Sequence, residues 1–143
     1  MPRFFYHATT MENYHSIMDS GFIKPSSGNT YTNQIFLAQN DYDARVSVWL
    51  RHLTVKHEKV AIFKIPKYCL KKAWITRGDN HTGLCKGPVY KYPKPIQITD
   101  EIWTGFANVN INLPEGVSIM RQENGTAGFS LTEEAYDRLK AAI

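Results

Sequence analysis

The chain has 143 residues, of which 43% are hydrophobic and 13% aromatic. This is enough apolar material for one buried core, and it excludes an intrinsically disordered chain. No apolar run approaches the roughly 20 residues that a membrane-spanning helix needs. We therefore expect a single domain over residues 1–143 with no membrane partner. The N-terminal residues lack an apolar stretch of signal-peptide length, so we expect a cytoplasmic protein, unless it is exported by a route that the sequence does not show.

The formal net charge is +4. A positive balance of this size suits an anionic partner, which leaves a dinucleotide, a nucleic acid and an acidic protein surface open. Cys69 and Cys85 are too few for a disulfide scaffold, and we expect reduced, partly buried thiols. A zinc site of these two residues with His81 would lack a close cysteine pair and a fourth ligand, so we expect no metal.

Short runs of aromatic and β-branched residues, bounded by Gly, Pro and Asn, predict strands along most of the chain. In chain order the predicted strands are Phe4–Tyr6, Phe22–Ile23, Ile35–Ala38, Lys59–Pro66, Val89–Tyr92, Ile96–Trp103, Val117–Arg121 and Ala127–Phe129. Asn124-Gly125, between the last two strands, is a strong type I′ hairpin signal.

Two predicted helices lie between the early strands. Thr9-Thr10 predicts the N-terminal cap of a helix over Glu12–Ser20, and Gly21 predicts its end. Asn40 predicts the cap of a second helix, with Asp43 in its first turn, where the helix dipole favours a negative charge. The apolar stripe of this second helix consists of Val46, Trp49, Leu50 and Leu53.

In the tail, Ser130 with Glu133 matches a capping box and predicts a third helix. Lys24–Asn33 and Trp74–Gly87 are rich in turn-forming residues and are predicted loops. The order is strand, helix, loop, strand, helix and then mostly strands. It predicts an α+β fold and disfavours a doubly wound parallel sheet.

Short motifs from residue 3 to residue 104 follow one another in a characteristic order. Tyr6-His7-Ala8-Thr9 stands where the first strand meets its helix. A loop, the strand Gln34–Ala38 and the helix start Asp41–Ala44 follow. This order resembles the ADP-ribosyltransferase superfamily. Its members carry a His-Gly-Ser or His-Gly-Thr motif, then a strand with an aromatic residue followed by small residues, then a helix with Ala or Ser.

Among small members the chain is most similar to the rifampin ADP-ribosyltransferase type. Val60–Pro66 falls where that family has a strand before a proline-bearing loop. Asp79, followed by Val89–Pro95, falls where it has an acidic residue and then a strand that closes on a proline. The resemblance implies two small, mostly antiparallel sheets that form an NAD cleft, flanked by a few helices. Residues 105–143, with the predicted hairpin and helix, form a C-terminal extension outside the resemblance.

The resemblance also implies which residues act. His7 would bind a hydroxyl of the nicotinamide-side ribose, and Asp79 would be the carboxylate near the reacting sugar carbon. The backbone of Ala8 would pair with the nicotinamide amide, Thr9 would support that strand end, and Phe36 would stack on the nicotinamide ring. Tyr31, in the first predicted loop, would lie across the ligand as a lid.

These residue types suit the implied chemistry. When nicotinamide leaves NAD, positive charge develops on the ribose, so a carboxylate beside it stabilises the transition state more than the ground state. The same carboxylate takes a proton from the incoming acceptor. Asp79 lies in Gly-Asp-Asn, however, which is also ordinary turn chemistry, so the alternative is an aspartate that only bonds its own backbone.

Two positions depart from the family pattern. Ala8 stands where members have Gly, which lets backbone approach the ligand closely. Phe36 stands where Tyr is commoner, which keeps the stacking face and loses the hydroxyl. Either change is consistent with an altered pocket or with a binder of little activity.

The implied function is NAD-dependent mono-ADP-ribosyl transfer, of the kind used by toxins and effectors. The acceptor is a small molecule, a protein or a nucleic acid. One alternative is a non-catalytic interaction module on the same fold. An RNA 2′-phosphotransferase is disfavoured, because that family has a His-x-His strand where this chain has Gln34-Ile35-Phe36. A simple nucleic-acid-binding domain lacks any helix-turn-helix, zinc or RNA-binding signature.

Overall fold

The computed structural model describes residues 2–25, 34–52, 59–78, 85–109, 115–121, 127–135 and 137. The α-helices with described bounds are α1 (Met11–Ser20) and α2 (Asp41–His52), and residues 133–135 and 137 are also helical. The strands, in chain order, are β1 (Phe4–Thr10), β2 (Phe22–Ile23), β3 (Ile35–Ala38), β4 (Lys59–Pro66), β5 (Thr76–Arg77), β6 (Val89–Tyr92), β7 (Ile96–Gln97), β8 (Trp103–Asn108), β9 (Val117–Arg121) and β10 (Ala127–Leu131).

Six of these strands form one antiparallel sheet in the order β5-β6-β3-β1-β4-β8. β2 pairs with β7, and β9 pairs with β10, in two separate two-stranded ladders. The α+β class predicted from the element order is therefore confirmed. The described strands are gathered into one larger sheet with two short ladders, which differs from the two small sheets that the resemblance implies.

The large sheet buries a different apolar cluster on each face, because successive side chains of a strand point to opposite sides. The cluster that includes Ile17 of α1 contains Phe5, Leu37 and Phe63, and we call this side the α1 face. The other cluster packs on α2, and we call this side the α2 face. It consists of Ala8, Ala38, Ala44, Val46, Val48, Val60, Ile62 and Val109.

Both ends of α1 form as the sequence predicts. The hydroxyl of Thr10 accepts a hydrogen bond from the backbone N–H of Asn13 at 3.2 Å, which caps the first turn. Gly21 adopts a φ of 79°, and its N–H donates to the carbonyl of Ile17 at 2.8 Å. This left-handed C-terminal cap lets the chain turn directly into β2.

Replacing Gly21 with Ala is expected to destabilise the protein by about 1–2 kcal/mol, because an L-residue at this φ is strained. A methyl group at this position would meet no atom within 4 Å, so the loss would be conformational and not steric. Urea unfolding measures the change. Gly21→Asn, which tolerates this conformation better, should lose less, and equal losses for Ala and Asn would contradict this explanation.

The predicted strand Ile96–Trp103 is wrong in one respect, because the segment contains two strands that pair with different partners. Ile96 pairs with Ile23 of β2, whereas Trp103 pairs with Lys64 of β4. Between them the N–H of Ile102 donates to the carbonyl of Thr99 at 3.1 Å and closes a turn. The β-propensity of this stretch therefore does not show where the chain passes from the small ladder to the large sheet.

The later elements also refine the predictions. β5 lies within the predicted loop Trp74–Gly87 and pairs with β6. β9 and β10 form an antiparallel hairpin, and the Asn124-Gly125 turn lies outside the described residues. Ser130 belongs to β10, and the helical turn that follows is capped by Thr132, whose hydroxyl accepts from Ala135 N–H at 3.2 Å. In the described part of the chain, no helix is long and apolar enough to cross a membrane.

Candidate functional site

His7 lies on β1, an interior strand of the large sheet, between β3 and β4. Its side chain is only 6% exposed. A buried imidazole requires hydrogen-bond partners, and Nδ1 lies 2.8 Å from the carbonyl oxygen of Phe36. Because a carbonyl oxygen only accepts, the imidazole must donate, and the proton is therefore on Nδ1. In the neutral ring Nε2 is then an acceptor, so the structure specifies the tautomer.

The contact joins residues that are 29 positions apart in the sequence. Along the β1–β3 ladder the registered pair is Tyr6 with Ala38. Towards the C-terminal end of β1, the bond from the His7 side chain to β3 connects the strands again. The predicted first strand, Phe4–Tyr6, was too short: β1 extends to Thr10, so His7 is its middle residue and not the residue where the strand meets its helix. Its side chain therefore ties the first strand to the aromatic-centred strand from within the sheet.

Ala8 and Thr9 follow His7 on β1 and are buried, at 2% and 3% exposure. The methyl group of Ala8 belongs to the cluster on the α2 face, with Ala38 and Ala44. Strand alternation places the side chains of His7 and Thr9 on the α1 face, with Phe5. The methyl group that distinguishes Ala8 from Gly therefore points away from the face that holds the imidazole.

Phe36 is half-buried on β3, opposite Lys91 of β6. Its neighbours Ile35 and Leu37 both belong to the cluster on the α1 face, so alternation places the Phe36 side chain on the α2 face. The structure thus brings the main chain of Phe36 to the His7 imidazole, while the two side chains leave the sheet on opposite sides.

Asp79 and Tyr31 lie outside the described residues, and their roles remain predictions. Gly78, which precedes Asp79, is anchored by a bond from its N–H to the carbonyl of Val89 at 2.8 Å. After the segment with Asp79, the described chain resumes at Cys85.

The chain after Cys85 is held by Asp43, a residue whose importance sequence reasoning missed. Asp43 lies in the first turn of α2 and is 0% exposed. Its carboxylate accepts bonds from the N–H groups of Lys86 at 2.7 Å and Gly87 at 2.9 Å, and from the side-chain amide of Asn40 at 3.1 Å. Two backbone donors and one side-chain donor thus surround a buried charge, the arrangement that burial of a carboxylate requires.

Asn40 completes this arrangement, because its Oδ1 accepts from the N–H of Asp43 at 2.8 Å. The predicted cap of α2 is therefore confirmed. A methyl group at Gly87 would overlap the side-chain amide of Gln39, which would then have to move. Asn40 and Asp43 together indicated the start of a helix. No local pattern indicated that Asp43 also binds Lys86 and Gly87, which are more than 40 positions further along the chain.

The two cysteines are free and partly buried, as predicted. Burial, followed by the nearby charge of Asp43, raises the pKa of the Cys85 thiol to about 12. Burial, followed by Glu101, also raises the pKa of Cys69. Both thiols are therefore protonated near neutral pH, which argues against a cysteine nucleophile.

Two of the surface grooves formed by described residues stand out, and neither is lined by His7, Ala8, Thr9 or Phe36. The first, of about 600 Å³, lies beside the start of α2 on the α2 face, and its lining includes Asp41, Glu101 and Trp103. The second, of about 530 Å³, lies where β1 begins and β4 ends. His7 is therefore a buried group at the junction of two strands and lines neither of these grooves.

Comparisons with known proteins return no match: no family model, no curated protein and no solved structure is significantly similar to this chain.

Proposed function

We propose that this chain is an NAD-dependent mono-ADP-ribosyltransferase. The observation that supports the proposal most is the His7–Phe36 contact of 2.8 Å. A neutral imidazole that donates from Nδ1 to this carbonyl has Nε2 as an acceptor, which suits a sugar hydroxyl as the donor. The contact joins the imidazole of His7 to the main chain of Phe36, 29 positions away in the sequence, while the Phe36 ring lies on the opposite face of the sheet.

In this proposal each residue has a separate task. His7 orients the ribose by accepting a bond from one of its hydroxyls, and such positioning contributes a large part of a rate enhancement. The bond from the ribose C1′ to the pyridinium nitrogen breaks, and nicotinamide leaves with the electron pair. A lone pair of the acceptor forms the new bond to C1′, and the carboxylate of Asp79 takes the acceptor's proton.

The position of Ala8 favours the proposal over an inactive binder. Its methyl group packs against α2 in the apolar cluster of the α2 face, so it does not occupy the side of β1 where the imidazole lies. The extra methyl group of Ala8 therefore does not by itself exclude a ligand from the α1 face, although the backbone of Ala8 is paired with β4 opposite Ile62.

The Phe36 ring leaves the sheet on the face opposite the His7 imidazole, which does not support stacking on a ligand that His7 holds, so Phe36→Ala tests the stacking role on its own. If the ring contacts nicotinamide, we expect the dissociation constant for NAD to rise roughly 2- to 13-fold, the range for one aromatic contact. Titration calorimetry measures it. Phe36→Leu, which keeps most of the apolar volume, is the matched control. An unchanged dissociation constant in Phe36→Ala assigns the ring to packing on the α2 face.

The central experiment is release of free nicotinamide from NAD by the wild-type protein, with and without a cell lysate as the source of acceptor. Release that is accompanied by labelled ADP-ribose on an acceptor supports the proposal. A protein that neither binds nor cleaves NAD would favour the interaction module. Loss of NAD only in the presence of RNA with a 2′-phosphate would instead indicate a phosphotransferase.

A further inference from the structure

The groove at the start of β1 has a lining of unusual charge. It contains three cationic side chains, those of Arg3, Lys67 and Lys72, and no carboxylate. Within the described part of the chain none of the three cations forms an ion pair. Three like charges gathered around one concave surface repel one another, and an anionic partner would relieve that repulsion.

The groove also offers an aromatic surface. Tyr68 is 73% exposed, and Phe4, at 39%, contributes further apolar area. Next to the groove Trp74 is covered by cations, with the Nζ atoms of Lys71 and Lys94 at 4.6 Å and 5.8 Å from its ring centroid. The Tyr68 hydroxyl donates a hydrogen bond to the carboxylate of Glu101, which lies beside the groove. Because Tyr68 is the most exposed aromatic residue of this surface, its ring is the one that a planar ligand can reach most easily.

The walls of the groove are held in place by backbone contacts. The N–H of Lys67 donates to the carbonyl of Arg3 at 2.8 Å, and that of Leu70 donates to the carbonyl of Lys67 at 3.0 Å. The N–H of Lys71 donates to the Tyr92 hydroxyl at 3.0 Å. The cations and Tyr68 thus extend from a fixed scaffold, which lowers the ordering entropy that a ligand must offset.

We propose that this groove, between the start of β1 and the turns that follow β4, binds single-stranded nucleic acid. Its cations contact the phosphates, and a base stacks on Tyr68. Cations combined with an accessible aromatic ring match the two repeating parts of a nucleotide, a phosphate and a flat base. A duplex fits less well, because its bases are already stacked and cannot cover the tyrosine.

The other groove does not fit the same ligand. Its lining contains the carboxylates of Asp41 and Glu101 and a single cation, Lys64. The Nζ atom of Lys64 already lies 4.4 Å from the centroid of the Phe4 ring. Glu101 also interacts with the Tyr68 hydroxyl beside the basic groove, so the two sites differ in the carboxylate of Asp41 and in the number of cations, one against three. Both differences favour a phosphate chain at the basic groove.

The test is fluorescence anisotropy of a labelled oligothymidylate with the full chain, without NAD, over a range of salt concentrations. We expect the logarithm of the binding constant to fall with the logarithm of salt concentration with a slope of about −2, since each phosphate contact on a single strand contributes roughly −0.7. Lys67→Glu should reduce the magnitude of that slope. Lys59→Glu, at the opposite end of β4, is the matched control and should leave the slope unchanged.

Stacking is tested with Tyr68→Ala, which should weaken binding between about 5-fold and 150-fold, the range for loss of one base–aromatic contact. Phe106→Ala removes another exposed aromatic side chain, from β8, and should leave affinity unchanged. Equal affinity for duplex and single strand, equal losses in the two aromatic variants, or stronger binding to polyglutamate or anionic vesicles would each overturn the proposal. Because NAD is absent, the result is independent of the proposed transferase activity.

Discussion

Replacing His7 with Asn is expected to lower the rate of nicotinamide release by about 100- to 1,000-fold, the usual effect of removing one oriented active-site group. The amide nitrogen of Asn can take the place of Nδ1 as the donor to the carbonyl of Phe36, while the acceptor at Nε2 is lost. Steady-state release from NAD measures the change. Urea unfolding should show a free energy of unfolding within about 1 kcal/mol of the wild type, since the buried hydrogen bond survives.

The matched control is His15→Asn, because His15 is exposed on α1 and should be dispensable for activity. Asp79→Asn should lower the rate by a similar factor. The double variant should be little slower than either single variant if the two residues act in one step. A His7→Asn protein that is folded and fully active would contradict the assignment of His7, and additive losses would place Asp79 in a separate role.

Replacing Asp43 with Ala is expected to destabilise the protein by about 3–5 kcal/mol, the range for breaking a buried charged network. The substitution leaves the N–H groups of Lys86 and Gly87 and the amide of Asn40 without the acceptor that they share. Denaturant unfolding measures the loss, and hydrogen exchange at the two backbone amides should become faster.

Asp41→Ala is the control for this prediction. Asp41 is also in the first turn of α2 but is exposed, so its removal should cost only about 0.3–1 kcal/mol through the helix dipole. If the two variants were equally stable, the bonds from Asp43 to the 86–87 segment would not contribute as the structure indicates.

Most of the local structure followed from short-range chemistry. The bounds of β3, β4 and β6 and both ends of α1 were predicted, because β-branched runs, a threonine cap and a glycine stop act within a few residues. The turn between β7 and β8 was not predicted, since what separates them is a change of pairing partner from β2 to β4.

The candidate site was also predicted in part from local sequence, while other features of it depend on the tertiary structure. The motif Tyr6-His7-Ala8-Thr9 singled out the histidine, and the strand pattern singled out Phe36. The tautomer of His7 depends on a carbonyl of another strand, and the direction of the Ala8 methyl group depends on which face α2 covers. Neither is encoded in the residues next to them.

The sequence by itself determined the class of fold, the strands and helices with clear end signals, and the residues that can perform chemistry. Those properties depend on side-chain volume, backbone preference and functional groups within a single segment. The tertiary structure alone decided that His7 meets Phe36, that Asp43 holds Lys86 and Gly87, and that three cations surround one groove. Contacts of this kind depend on strand order and register, which arise from the packing of the whole chain and not from any local pattern.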